Sequence, residues 1–343
     1  MNPKLSVLAD VRGGWFTRAD AVDCGYSDSE LRQRLRRGQW SRLSRDVYVE
    51  PGASPAGEAS WDRAKRLHLL KTRAVINRLG PGAVVSHQSA AMLHGLPTWG
   101  LDLSRVHVTK ASGRKRSDSV ADVHRSRFDP GELTVVDGLQ VVTAARAVAE
   151  TACASSYEVG VVLGDAALHS RLVSPEALVA TADRHRVWHG SPAARAAARF
   201  ANRLSESVGE SRLRVLLANH GFPEPELQAE IRDGSGRLIA RVDLLLERTC
   251  VVEFDGAMKY GKADDLVAEA RGQPPRTRVP GRAHRLAGPG STPHHSQPNS
   301  PGFASCWGCA DVAGPLNRLF PALLSDVWAA INPVRDQGTG NGG

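Results

Sequence analysis

The sequence predicts a multidomain α+β chain, and three observations carry that expectation. Its 343 residues exceed the usual size of one domain. Short capped helical patterns and alternating apolar runs succeed one another, instead of one period running throughout. Composition then changes abruptly after Glu269. The expected divisions are residues 1–55, a mostly helical middle over 56–204 that includes a β-hairpin, a small α/β core over 205–269, a disordered or out-of-frame segment over 270–310, and a terminal helix and tail over 311–343.

Charge and cysteine usage narrow the function classes. The formal net charge is +8, which favours an anionic partner, nucleic acid being the commonest. Five cysteines are scattered along the chain, an odd and low count that argues against a disulfide framework. The stretch "MNPKLSVLADVRGG" lacks a signal-peptide core, and no run has the length of a membrane-spanning helix. A cytoplasmic location without membrane contact is expected.

The first segment contains "GGWFTRADAVDCGYSDSELRQRLRRGQWSRLSRDVYV". Thr17 can cap a short helix through Asp23, with Ala19 and Val22 inward, and Gly25 ends it. Ser27 and Glu30 form a capping box for a second helix, whose buried stripe is Leu31 and Leu35. Arg32, Arg34, Arg36 and Arg37 fill its other faces and last turn, and Gly38 closes it. A hairpin carrying Arg42 and Arg45 follows. Helix, glycine turn, arginine-rich helix and basic hairpin make a winged helix-turn-helix pattern, in which a helix can enter a major groove and wing arginines can meet phosphates. The competing reading is a small helical domain whose arginines offset the helix dipole and keep it soluble.

This segment resembles the N-terminal domain of AbiEi-family antitoxins of type IV toxin–antitoxin systems. The resemblance implies binding of double-stranded DNA at an operator, autoregulation, and a cognate toxin gene product as partner.

In the middle, "SWDRAKRLHLLKTRAVINRLG" has helical spacing and a terminal glycine. "VVSHQSAAMLHGLPTW" offers Ser86 as a cap and places His87 and His94 on one helical face. With no acidic or cysteine partner at ligand spacing, these histidines read as structural. The Asp137-Gly138 turn joins two valine-rich strands, and Thr143 caps an alanine-rich helix. "KASGRKRSD" (Lys110, Arg114, Lys115, Arg116) reads as a solvated basic loop. "SHQSAAMLHGLP" and the hairpin before "TAARAVAETA" resemble the region that follows the winged helix in AbiEi-like proteins, implying a helical scaffold.

In the α/β core, Ser207 and Glu210 make a capping box, and Glu210, Leu213 and Leu217 at i, i+3, i+7 also place Glu210 along the inward stripe. "PELQAEIRD" and "GRLIARVDLLL" read as strands around a "DGSG" turn. With residues 247–249 as the next turn, Leu246 pairs with Cys250, Leu245 with Val251, Leu244 with Val252, and Asp243 with Glu253. Asp255 then shares their face, while Leu244, Leu246, Val252 and Phe254 take the other. Opposed like charges are destabilising, so a neighbouring Arg or Lys, a raised pKa or a divalent cation must compensate. Clustered carboxylates suit Mg²⁺ or Mn²⁺; a salt-bridged hairpin neutralised by Arg241 or Arg237 is the alternative.

Helix, three strands and D…E-x-D across the last hairpin resemble the PD-(D/E)XK restriction-endonuclease-like core, and more closely the very-short-patch-repair (Vsr-like) endonucleases. "GESRLR", "RVDLLL" and "VVEFDGAMKYG" carry the likeness over residues 205 to 269. It implies that Asp243 and Glu253 hold the metal and that Glu210 is the helix acid. Asp255 stands where many relatives place a catalytic lysine, and Lys259 or Lys262 is a substitute cation. Beyond Glu269 the helix and strand of such a core are missing from the pattern. The proline-rich, acid-free stretch there reads either as an out-of-frame translation of GC-rich DNA or as a disordered linker. Cys306 and Cys309 form a lone C-x-x-C, weak as a metal or redox signal. The expected function is a DNA-binding regulator or antitoxin; the alternative is a metal-dependent DNA endonuclease.

Overall fold

In the computed structural model, which describes residues 1–44, 46–50, 59–248, 250–253 and 305–307, the first helix begins at Asn2. Its side chain accepts the Leu5 N–H, and Pro3 sits where a missing N–H costs nothing. This helix, α1 (Pro3–Val11), leads into β1 (Trp15–Thr17), α2 (Arg18–Asp23), α3 (Asp28–Arg36), β2 (Ser41–Ser44) and β3 (Val47–Val49). The strands form an antiparallel sheet in the order β1-β3-β2. Leu5, Phe16, Leu31 and Trp40 are its core, with the Phe16 and Trp40 rings edge-on at 4.8 Å.

The capping box expected at Ser27 with Glu30 forms, and Thr17, expected as a cap, forms one as well with Asp20. The inward residues of α2 differ from the expectation. Ala19 and Val22 face solvent, and Asp20 and Ala21 are buried. The capping box sets this rotation: the Asp20 carboxylate accepts the Thr17 N–H at 2.7 Å and pairs with Arg12, which turns Asp20 toward the protein.

The middle of the chain joins its helices to a six-stranded sheet, where a single β-hairpin was expected. Helix α4 (Ser60–Leu79) is followed by β4 (Ala83–Val85), α5 (His87–Leu93), β5 (Val106–Lys110), β6 (Arg116–Ser117), β7 (Ala121–Arg125), β8 (Leu133–Val136) and β9 (Leu139–Val142). Then come α6 (Ala144–Ala154), α7 (Tyr157–His169), α8 (Pro175–Arg184) and α9 (Ser191–Phe200). The strands build one sheet of six in the order β6-β7-β5-β4-β9-β8. The β8–β9 hairpin turns at Asp137-Gly138 as expected. The other strands have only two to five residues, too short for alternation to stand out from loop. The expected basic loop is partly strand: Lys110 ends β5 and donates to the Leu79 carbonyl, and Arg116 lies in β6. Ser86 and Thr143 occupy N-cap positions without capping hydrogen bonds, the Ser86 hydroxyl accepting from Thr109 instead.

Packing on this sheet is close. A Cβ added at Gly160 or Gly164 would come within 2.9 Å of the Cβ atoms of Ala197 or Ala201, so the two glycines let α7 and the end of α9 touch. Arg146 of α6 is fully buried. Its Nε donates to Glu150 at 2.9 Å, Nη1 to Glu132 and to the Arg127 carbonyl, and Nη2 to Ser126. Phe128 and Trp188 rings lie within 5.4 Å of its guanidinium. Burial alone would raise the pKa of Glu132, but the Asp129 N–H, His185 and Arg146 outweigh it and hold the carboxyl below its ordinary value. Glu150 goes the other way: deep burial raises it despite Arg146.

The chain divides into two compact units, Met1–Arg203 and Leu204–Gly343. In the first, Ala74 of α4 packs with Trp15, Val47 and Val49, which joins the N-terminal sheet to the middle. In the second, α10 (Val208–Asn219) precedes β10 (Glu226–Arg232), β11 (Leu238–Leu246), β12 (Cys250–Glu253) and β13 (Ser305–Trp307), antiparallel neighbours in that order. Leu213 and Leu217 of α10 pack on Leu244, Leu246 and Val252. Within the stretch expected to be disordered or out of frame, Ser305–Trp307 pairs with β12 as a strand. Among the described residues no helix is long and apolar enough to cross a membrane.

Candidate nucleic-acid interface and carboxylate cluster

Helix α3 owes its exposure pattern to its spacing. Leu31 is buried and Leu35 packs on the same core, so the helix turns the opposite face outward. Ser29, Arg32, Gln33 and Arg36 follow i, i+3, i+4, i+7 and are all exposed. Arg37 caps the helix in the open, and Arg42 stands exposed on β2 with its Nε on the Ser44 carbonyl at 3.2 Å. Arg34 does not join them. Its guanidinium lies over the Tyr26 ring at 5.0 Å and the Trp40 ring at 5.1 Å, a cation–π bracket that fixes it to the core. Arg45 lies outside the described residues.

Gly25, with φ of +93°, makes the turn between α2 and α3. Arg18 reaches across this turn to Asp28 with its Nε at 2.9 Å, and that hydrogen bond, outweighing desolvation, holds the Asp28 carboxyl below its ordinary value.

In the second unit the hairpin has the expected register, Leu244 with Val252, Leu245 with Val251 and Leu246 with Cys250. Among the described residues the pairing ends at Leu244 with Val252, one step short of the expected pair of Asp243 with Glu253. Glu247 and Arg248 turn the chain with φ of 49° and 59°. Asp255 lies outside the described residues, as do Lys259 and Lys262.

Glu210 is buried in the first turn of α10. Only half of the expected capping box forms there. The Ser207 hydroxyl accepts the Glu210 N–H at 3.1 Å, while the Glu210 carboxylate accepts from the Glu206 N–H at 2.9 Å, not from Ser207. Gln228 Nε2 donates to the same oxygen at 3.3 Å. Burial raises the pKa of Glu210, and the negative charge of Asp243 raises it further against the Glu206 and Ser207 hydrogen bonds. So Glu210 and Asp243 share one electrostatic neighbourhood. The arginines expected to neutralise the hairpin have other ion pairs, Arg241 with Glu206 and Arg237 with Asp233.

His94 is structural, as expected: its Nε2 bonds the Val142 carbonyl at 2.7 Å. His87 is different. It meets two histidines from neighbouring strands, His107 and His124, which sequence spacing did not join to it. The available signal was the pair of alternating runs "VHVTK" and "ADVHR", each with a histidine on its even positions.

Residues 6–51, from within α1 to just past β3, match a family model described as transcriptional regulator, AbiEi antitoxin. No curated protein matches the chain.

Proposed function

We propose that the chain is a DNA-binding transcriptional regulator of the antitoxin type, acting through residues 1–50. In this reading α2 and α3 form a helix-turn-helix and β2 with β3 forms the wing. The observation that carries it is the exposed stripe Ser29–Arg32–Gln33–Arg36 on a helix whose opposite face is anchored by Leu31 and Leu35. Arginine can grip guanine and glutamine adenine by paired hydrogen bonds in the major groove. Arg37 and Arg42 flank that stripe and suit phosphates, whose contacts fix register. The family match over residues 6–51 supports the same reading. Binding to duplex DNA from upstream of its own gene, followed by fluorescence anisotropy, tests it. Arg32→Ala or Arg36→Ala should weaken binding by about 1–3 kcal/mol where the residue reads a base. Equal affinity of both variants and the native chain would overturn the assignment of α3.

A second reading rests on Glu210 and Asp243. Their donors are carboxylate oxygens, a set that fits Mg²⁺ or Mn²⁺, and a cation there would offset the burial that raises Glu210 and the repulsion from Asp243 that adds to it. Asp243 and Glu253 would hold the ion, with Glu210 as the helix acid. A bound metal supplies water activation and stabilises charge developing on a phosphate. This reading makes the second unit a nuclease-type core of the PD-(D/E)XK, Vsr-like kind. Plasmid nicking in Mg²⁺ or Mn²⁺ that disappears in Asp243→Ala and Glu253→Ala would support it; DNA binding without cleavage in either metal would overturn it.

A further inference from the structure

The first unit gathers three imidazoles from separate elements. His87 opens α5, His107 lies in β5 and His124 in β7, and one ring nitrogen from each lies within 4.8 Å of the others. His107 Nδ1 and His124 Nε2 are 2.9 Å apart, and the His87 and His124 rings stack at 3.9 Å between centroids. Parallel strand pairing sets His107 beside Asp122 and Thr109 beside His124, which brings the two strand histidines together.

We propose that His87, His107 and His124 bind a divalent transition-metal ion of the zinc class, a site separate from the carboxylate hairpin. Three imidazoles plus an open position is a donor set that zinc accepts, with metal–nitrogen bonds of about 2.0–2.1 Å and neighbouring nitrogens about 3.4 Å apart. The observed spacing brackets that separation, and binding turns the stacked pair until both lone pairs converge.

Two of the rings, His87 and His107, have a partner for their other nitrogen, as metal-ligating histidines do. His87 Nδ1 lies 3.4 Å from Glu150 and 3.1 Å from the Ser86 hydroxyl. His107 Nε2 lies 3.7 Å from Asp122, the carboxylate that would accept its N–H, and 2.9 Å from the Gln88 side-chain amide. His87 also has φ of +52°, a left-handed conformation that persists only where the surroundings impose it. Its N–H donates to Glu150 at 3.0 Å, so one carboxylate fixes both the backbone and the ring of this residue. Burial holds all three imidazoles below their ordinary pKa, and His107 falls to about 3. A cavity of about 330 Å³ borders His87 and His124 and is also lined by Glu150, Cys153, Lys115 and His189. A fourth ligand, water or a small anion, can enter there.

The test uses the full chain stripped with a chelator and then given Zn²⁺ or Co²⁺ alone. About one zinc per chain should remain after desalting, and Co²⁺ should give visible absorption bands that zinc abolishes. His124→Ala should lose both signals, and Glu150→Gln should weaken zinc binding about 10–100-fold. A Cys306→Ser/Cys309→Ser variant should bind as the native chain does. Far-ultraviolet circular dichroism checks that the His124→Ala variant is folded. The proposal is overturned if the native stripped chain retains no zinc and shows no cobalt bands. It is overturned equally if the double-serine variant loses the signals while folded His124→Ala keeps them.

Discussion

Arg146 on α6 and the arginines of α3 belong to the same compact unit and carry the same charge, yet their surroundings are opposite. Arg146 is fully buried, and each of its guanidinium nitrogens has a named partner among Glu132, Glu150, Arg127 and Ser126. Arg32 and Arg36 stand exposed on a helix that is anchored by its other face. Arg34 is between them in kind, held over two aromatic rings. The difference shows that an arginine count gives no footprint for nucleic acid until burial has sorted the arginines into those that hold the fold and those left to meet a ligand.

The largest effect should come from Arg146→Met. Removing the charge leaves Glu132 and Glu150 buried without their shared cation, and breaking such a centre costs about 3–5 kcal/mol. Chemical denaturation followed by tryptophan fluorescence measures it. A loss under about 1 kcal/mol would mean that the network is not what holds α6, and the contrast with α3 would collapse. The network also gives a pH dependence. The Glu132 carboxyl is held below its ordinary value, so its stabilisation is present above the unfolded carboxyl pKa and is lost as pH falls through the lower folded value.

Arg34→Ala sharpens the contrast at its middle. Losing contact with the Tyr26 and Trp40 rings should cost about 0.5–1 kcal/mol per exposed-type cation–π contact, with the salt dependence of DNA binding retained. If this variant left stability unchanged and flattened the salt dependence, Arg34 would belong with the DNA-facing group instead.

Much of the local structure was legible in the sequence because its causes are local. Thr17, Ser27 and Ser207 start helices within three residues of the groups they bond. The hairpin register followed from a turn and the alternation of Leu244, Leu246 and Val252. What escaped the sequence depends on distance along the chain. The middle sheet is assembled from strands too short to show a period, and its β4–β9 pairing joins Val85 to Val141. Likewise Arg146 meets Glu132, and His87 meets His107 and His124, only through that sheet. The inward turn of Asp20, in place of Ala19 and Val22, shows a polar cap overruling apolar spacing on a helix of six residues. In the candidate interface, the sequence placed all the arginines of α3 together, and only the ring contacts separate Arg34 from the rest.

The smallest expected change in stability is also where the central claim is most exposed. Arg32→Ala and Arg36→Ala should each alter folding stability by no more than about 0.5 kcal/mol, as exposed substitutions do. The decisive measurement is the salt dependence of duplex DNA binding by the full chain, native against the Arg32→Ala/Arg36→Ala double variant. Removing the two base-reading arginines should lower affinity at every salt concentration, and the slope of log affinity against log salt should fall by about 1 in magnitude for each of their charges that also meets a phosphate. A double variant with native affinity and native slope would contradict the account, and would place the DNA-binding surface away from α3.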